Sequence, residues 1–379
     1  MRTLDGTPSR RFASVVGEIA LRPRPIHARS RAILVTPQLD ARALGYLACL
    51  TAGPRGRFFH PDHLYNAHGL EQLQEGDIVR LNGDGQVHVL WEAGSSHNAL
   101  LLTEACNCHC VMCPQPPRPH DPALLREAHA VLNLLRGRSL DQICLTGGEP
   151  TLLGNAFIEL LERCVREHPK TRIDILTNGK TFADRAFTAL VAQAATVNVL
   201  FCVSLHSDVD SLHDALVGAS GSYTATQRGI YHLAEYGCRI EIRHVISHDN
   251  APHLKSFAEH LYNYIPFCYH YAFMGMELYG NASNNKELVD ISPYQYREEL
   301  RTAVLAMYRR GLPVSIYNIP LCLCAPEVRP FARQSISSWK NIYPPQCGTC
   351  GSKKICSGFF STSVSLPLDH IHPLEKEGE

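Results

Sequence analysis

Thr103-Glu104-Ala105-Cys106-Asn107-Cys108-His109-Cys110-Val111-Met112-Cys113-Pro114 decides how this chain reads. Cys106, Cys110 and Cys113 stand as C-x-x-x-C-x-x-C, so one loop carries three thiols toward a single inorganic centre. On a cubane of four irons, three thiolates leave one iron without a protein ligand, and an open coordination position is what catalysis at a metal needs. The same residues also suit a zinc ion completed by His109 or Cys108. Idle thiols are the third reading, although so many cysteines rarely gather on one loop by chance. A second phrase, Gly147-Gly148-Glu149-Pro150, follows the apolar run Ile143-Cys144-Leu145-Thr146. Alone it is an ordinary turn. Its weight comes from standing between a strand and a helix.

Composition narrows the class. The chain has 379 residues, enough for one large domain with appendages or for two to three domains. Lys and Arg (36) balance Asp and Glu (36), so no basic nucleic-acid footprint is expected. No run approaches eighteen apolar residues, and Met1–Phe12 lacks the apolar core of a secretory signal. A cytoplasmic protein without a membrane span is therefore expected. Fifteen cysteines then read as metal ligands plus buried thiols, not disulfides. Cys49, Cys144, Cys164, Cys202, Cys238 and Cys268 sit singly in apolar surroundings and read as core, whereas His60, His63, His370 and His372 read as surface histidines.

Working outward from the cysteine loop, short apolar strands alternate with amphipathic helices, the pattern of βα units and a parallel sheet. Strands are expected at Ala99–Thr103, Gln142–Thr146, Arg172–Thr177, Val197–Leu205, Ile240–Ile246 and Phe267–Phe273. The first helix has Asp121 as cap, Pro122 in its first turn and Gly137 beyond its end. Leu124, Leu125, Ala128, Val131, Leu132 and Leu135 make its apolar face. Six such units predict an α/β fold, an open (β/α)6 barrel of TIM type, with chemistry at the C-terminal strand ends. Parity along Arg239–Ile246 turns Glu241 and Arg243 into the barrel, and along Val197–Leu205 it turns Asn198, Cys202 and Ser204 inward.

The expected domains are 1–95, 96–280 and 281–379. The first is a small β-rich domain, with a hairpin signal at Asn82-Gly83-Asp84-Gly85. The second is the barrel core. The third opens with a helix from Ser292-Pro293 to Gly311, continues with a strand at Val314–Tyr317, and ends in a cysteine-rich tail. His370–Glu379 reads as a frayed terminus.

The cysteine triplet and the Gly-Gly-Glu-Pro phrase together resemble the radical S-adenosylmethionine (SAM) enzymes. That resemblance implies that Cys106, Cys110 and Cys113 hold a catalytic 4Fe–4S cluster whose free iron is chelated by SAM. Met112 would take the place of the usual aromatic residue beside adenine, and Gly147, Gly148 and Glu149 would line the methionyl amino group through their carbonyls. Asn178 and Ser204, at the third and fourth strand ends, occupy positions that often contact the ribose and carboxylate of SAM. Arg243 suits either the SAM carboxylate or an internal ion pair with Glu241 or Asp174. The family mechanism delivers one electron from an external donor, breaks the sulfonium C–S bond, and lets a 5′-deoxyadenosyl radical take a hydrogen atom from substrate. No general base is needed for that step, and none is nominated.

Cys347, Cys350 and Cys356 in QCGTCGSKKICSG resemble the twitch and SPASM extensions of that superfamily, which carry auxiliary 4Fe–4S clusters. Cys322, or Cys324 in its place, would complete four ligands for one such cluster. A four-thiolate zinc ribbon is the alternative. Met112–Pro117, Phe273–Glu277 and Ser335–Asn341 are most similar to the radical SAM maturases of His-Xaa-Ser systems. The substrate implied is a ribosomally made peptide or small protein, with a second radical SAM enzyme as a further partner. A radical SAM enzyme acting on a small metabolite or nucleobase is the second reading. A zinc-stabilised binding protein is the third, and it leaves the strand-end phrase unexplained.

Overall fold

The computed structural model of the chain describes residues 2–56, 60–337, 340–363 and 370–375. The chain makes two compact units: Met1–Thr103, Asp121–Gly147 and Glu159–Asp174 form the first, and Glu104–His120, Gly148–Ile158 and Ile175–Glu379 the second.

In the first unit seven strands close into a barrel: β1 (Thr3–Pro8), β2 (Val15–Ala20), β3 (Ala32–Val35), β4 (Ala48–Leu50), β5 (His63–His68), β6 (Ile78–Leu81) and β7 (Gln86–Trp91). Their order is β1-β5-β4-β3-β2-β6-β7, and β1 shuts the ring antiparallel to β7 with Leu4 opposite Val87. Alternate residues therefore share the interior, where Leu4, Ile19, Ile33, Leu50, Leu64 and Val87 pack as one apolar core. The expected hairpin joins β6 to β7, and Gly85 takes φ +105 where a Cβ would lie 2.2 Å from the Gly6 carbonyl oxygen. Strands β2 to β5 pair in parallel, a feature without local turn chemistry and so invisible in the sequence.

His60 and His63 are not surface residues. His63 Nε2 lies 2.9 Å from Thr51 Oγ1, and His60 Nε2 lies 3.0 Å from the Tyr46 carbonyl oxygen. Both rings are buried because β5 starts at His63 and polar partners on neighbouring segments satisfy them. Burial pushes His63 down to about 4.

The first unit also holds β8 (Ala99–Leu101) and β9 (Gln142–Thr146), paired in parallel. The helix Pro122–Leu135 connects them along the chain. The Asp121 side chain accepts from the Ala123 N–H at 2.8 Å, and Ala128, Val131, Leu132 and Leu135 are buried as the periodicity requires.

Strand β10 (Arg172–Thr177) runs from the first unit's sequence into the second. There β11 (Val199–Ser204), β12 (Arg239–Val245), β13 (His270–Met274), β14 (Val314–Tyr317) and β15 (Ala332–Arg333) pair in parallel in chain order. The register aligns Ser204, Arg243, Ala272 and Ser315, and two residues earlier Cys202, Glu241 and His270. Parallel strands alternating with helices make this an α/β fold of the partial TIM-barrel type. Strand β11 starts two residues later than expected, leaving Val197 77% exposed ahead of it.

The helix expected from Ser292-Pro293 starts at Arg297. A turn occupies the preceding residues: the Ser292 N–H donates to Gln295 Oε1 at 3.1 Å and the Gln295 N–H to the Ser292 carbonyl at 2.9 Å. A short antiparallel pair, β16 (Asn341–Ile342) with β17 (Phe359–Phe360), follows in the tail. Cys49, Cys164, Cys202 and Cys268 are buried as expected, but Cys144 and Cys238 are half-buried. None of the described helices is long and apolar enough to cross a membrane.

The second unit buries three histidines together. His206 and His213 stack with centroids 6.0 Å apart, and His244 lies 4.3 Å from the Phe257 ring. The His206 N–H donates to His213 Nδ1 at 3.1 Å, which requires that nitrogen to be unprotonated. Burial lowers His206 well below its ordinary value, His213 to about 4 and His244 to about 3. Between these values and the unfolded pKa of about 6.5 the unfolded chain binds more protons, so stability falls as pH drops through that window. In urea unfolding of the metal-free protein, the midpoint should decline from about pH 7 to about pH 5.5, and His244→Gln should flatten the decline. A midpoint independent of pH over that range contradicts neutral burial.

Candidate active site and its neighbours among known proteins

All residues of the candidate cofactor loop lie in the second unit, Glu104–His120. The His109 and Val111 N–H groups donate to the Val217 and Leu216 carbonyls at 2.9 and 3.0 Å. From the other side Asn281 Nδ2 donates to the Cys110 carbonyl at 3.0 Å, Asn285 Nδ2 to the Val111 carbonyl at 2.9 Å, and the Asn281 N–H to the Cys113 carbonyl at 2.8 Å. Gly280 makes this clasp possible: at φ +61, a Cβ would stand 2.4 Å from the Pro114 carbonyl oxygen. Sequence reading missed Asn281 and Asn285. Their only signal is an i, i+4 asparagine pair directly after a glycine.

Gly148 lies against the same loop, where a Cβ would be 2.4 Å from the Ala105 carbonyl oxygen, and the Glu149 N–H donates to that oxygen at 2.8 Å. The Glu149 side chain is fully buried and turned inward. Its Oε1 accepts from the Thr151 N–H (3.1 Å), Thr151 Oγ1 (2.6 Å) and Thr177 Oγ1 (2.9 Å), and its Oε2 from the Asn178 N–H (2.7 Å). Burial raises the Glu149 carboxyl, and these donors oppose the rise. The carboxylate thus ties the Gly-Gly-Glu-Pro turn to the Thr177-Asn178-Gly179 turn. Only the backbone of Glu149 is left for a ligand's ammonium.

Asn178 continues the chain of contacts. Its Nδ2 donates to Asn107 Oδ1 at 2.7 Å and points toward Cys108 Sγ (3.5 Å) and Cys106 Sγ (3.9 Å). Lys180 Nζ donates to the Asn107 carbonyl at 3.0 Å and lies 3.7 Å from Cys108 Sγ. Cys106 and Cys108 share a hydrogen bond that pushes Cys106 up and, helped by Lys180, holds Cys108 down. Burial pushes Cys110 up to about 12 and raises Cys113. Three thiols crowded near a cation and amide donors are a set that a positively charged centre would relieve of its protons. Among the described residues no three His, Cys, Asp or Glu side chains stand close enough for one metal ion.

The remaining predicted residues divide. Met112 is buried in an apolar cluster with Leu216, Leu278, Ala282 and Val289. Ser204 is half-buried at the end of β11. Arg243 makes the internal ion pair: its Nε donates to Glu241 Oε1 at 2.6 Å. His270 Nδ1 donates to Glu241 Oε2 at 3.0 Å, and His270 Nε2 pairs with Ser315 Oγ at 3.0 Å. Burial alone would raise Glu241, but His270 and Arg243 outweigh it and hold the carboxyl down to about 2. Asp174 pairs instead with Arg172 at 2.7 Å.

In the tail Cys322, Cys347, Cys350 and Cys356 line one pocket. Cys324 is buried but does not line it, which separates the two residues the sequence left interchangeable. Burial pushes Cys322 up to about 11 and Cys324 up to about 12. The Leu321 and Gly358 N–H groups each donate to Cys356 Sγ at 3.4 Å.

Residues 100–261 match the model of the radical SAM superfamily. This chain carries a radical SAM domain. Solved structures similar to it include Streptococcus suis SuiB bound to S-adenosylmethionine (14% identity, 57% of this chain and 49% of that one, TM-score 0.48). Others are SuiB bound to precursor peptide SuiA (15%, 57% and 48%, TM-score 0.45) and native anSMEcpe with bound AdoMet (17%, 57% and 62%, TM-score 0.41). The chain spans about half the length of the SuiB chains it matches. No curated protein matches it.

Replacing Glu149 by Gln keeps the shape but turns an NH2 toward at least one donor, leaving it unpaired at a cost of about 1–3 kcal/mol. Unfolding free energy should fall by that amount, and SAM affinity measured by anaerobic calorimetry should fall with it. Unchanged stability would show that the carboxylate does not hold the two turns together.

Proposed function

We propose that this radical SAM protein is a peptide maturase that cleaves SAM reductively and modifies a ribosomally made peptide of His-Xaa-Ser type by C–H abstraction. The observation that carries the reading is the loop itself: Cys106, Cys110 and Cys113 on a backbone pinned by Asn281, Asn285 and the Gly148-Glu149 turn. When bound, a 4Fe–4S cluster with SAM on its open iron supplies one-electron cleavage of the sulfonium C–S bond and abstraction of a substrate hydrogen atom.

The chain's own residues do the rest. Cys106, Cys110 and Cys113 would hold the cluster, and the carbonyls of Gly147, Gly148 and Glu149 would accept from the methionyl ammonium. Asn178 keeps the cysteine loop in register with the Thr177–Gly179 turn. Ser204 and Arg243 stand in register at neighbouring strand ends, and Met112 supports the loop from its apolar side. Arg243 is orientated by Glu241, which His270 fixes in turn, so any SAM or substrate carboxylate it meets finds a preset guanidinium.

Cys322, Cys347, Cys350 and Cys356 would hold one auxiliary 4Fe–4S cluster or a zinc ion. The peptide substrate is supported by the likeness of Met112–Pro117, Phe273–Glu277 and Ser335–Asn341 to the His-Xaa-Ser maturases. Within the last stretch Ser338 and Trp339 lie outside the described residues. Lys340 Nζ and Glu277 Oε2, from two of these stretches, pair at 2.8 Å. An external electron donor is required, and a second radical SAM enzyme is a proposed partner.

The test is anaerobic incubation of the reconstituted protein with a genetically neighbouring His-Xaa-Ser peptide, SAM and a strong reductant. A mass change on the peptide and release of 5′-deoxyadenosine are expected. Cys110→Ala should abolish both while metal in the tail persists. SAM cleavage at the normal rate in that variant removes the assignment, and turnover of a small metabolite without any change in the peptide favours the metabolite reading.

A further inference from the structure

The C-terminal segment His370–Leu374 does not hang free. It meets the four-cysteine pocket through its backbone. The Leu374 N–H donates to Cys350 Sγ at 3.4 Å, and the Gly351 N–H returns a bond to the Leu374 carbonyl at 2.9 Å. His372 lies beside Cys322 in the same pocket. The side chains of His372 and Leu374 form part of the pocket wall. Upstream the segment is anchored by a ring stack: His370 lies on Tyr294 with centroids 3.6 Å apart and planes 9° from parallel, and the Arg297 guanidinium sits 4.6 Å from the same Tyr294 ring. Ile371 is buried between these two contact points along the chain.

These contacts are unlike those of a frayed end. One of the four sulfurs, Cys350, takes an N–H donor from this segment, and Cys356 takes two from Leu321 and Gly358. Donors aimed at sulfur favour the charged thiolate and the more reduced state of a centre bound to it. The pocket wall they complete also limits the approach of water and chelators.

We propose that His370–Leu374 is a strap that closes the tail's thiolate pocket, with Leu374 as the positioning residue that sets the retention and the reduction potential of the centre held there. This rests on the reading that the four tail cysteines hold a metal centre. The strap acts through the sulfur of Cys350 and touches no substrate.

Leu374→Pro removes one N–H donor and keeps the carbonyl that Gly351 uses. Leu374→Ala keeps both. The experiment uses the Cys110→Ala background, where the tail is the one remaining cluster site, and adds a chain ending before His370 as an independent variant. After anaerobic reconstitution, metal per chain, the rate of its loss to a chelator and the midpoint potential are measured. Leu374→Pro and the shortened chain should lose metal at least several-fold faster, and any iron–sulfur centre they keep should have a more negative potential. Leu374→Ala, which keeps the N–H and loses only part of the wall, should match its parent in midpoint potential. Parent-like retention and potential in both Leu374→Pro and the shortened chain overturn the strap. Adding Cys350→Ala separates the two failures: if it leaves metal content unchanged, the tail holds no centre and the underlying reading fails first.

Discussion

One buried carboxylate organises the cofactor end of this protein. Glu149 accepts four hydrogen bonds, from Thr151 twice, Thr177 and Asn178. A carboxyl buried in that position is tolerable only because it is hydrogen-bonded on both oxygens, so the two turns it joins hold one relative geometry. The Asn178 amide then touches the cysteine loop, and the Glu149 N–H bonds to Ala105. The loop that carries the three thiols is thereby tied to both turns. Asn281 and Asn285 close the other side.

Much of this arrangement was legible in the sequence. The helix after the cysteine loop follows from Asp121, Pro122 and a regular apolar face, all local signals. The parallel strands follow from short apolar runs, with ends shifted by a few residues, as at Val199. Non-local pairing was not legible. The parallel β2–β5 stretch has no turn to announce it, and the burial of His60 and His63 depends on Tyr46 and Thr51, far enough away in sequence to leave no pattern. The Ser292-Pro293 start misled because a Ser-Pro pair opens a turn as readily as a helix.

At the site, ligand residues were easier to find than the groups that position them. Cysteines announce themselves by spacing; Asn281, Asn285 and Lys180 do not, because an amide or amine near a loop carbonyl has no motif. Arg243 left two partners open from parity alone, and its geometry favours the internal one, with Glu241 shared between it and His270. That network links polar groups on β12, β13 and β14 across two successive register positions, Glu241 with His270 and Arg243 with Ser315. Cys322 and Cys324 were indistinguishable as letters two apart, yet only Cys322 faces the pocket that the other three tail cysteines share.

The account stands on a cluster with one open iron at Cys106, Cys110 and Cys113. The most direct measurement is electron paramagnetic resonance of the reduced, anaerobically reconstituted protein with and without SAM. A 4Fe–4S signal whose g-values move on adding SAM is the predicted result. A cluster signal indifferent to saturating SAM, or no cluster signal in protein that retains its fold, contradicts it.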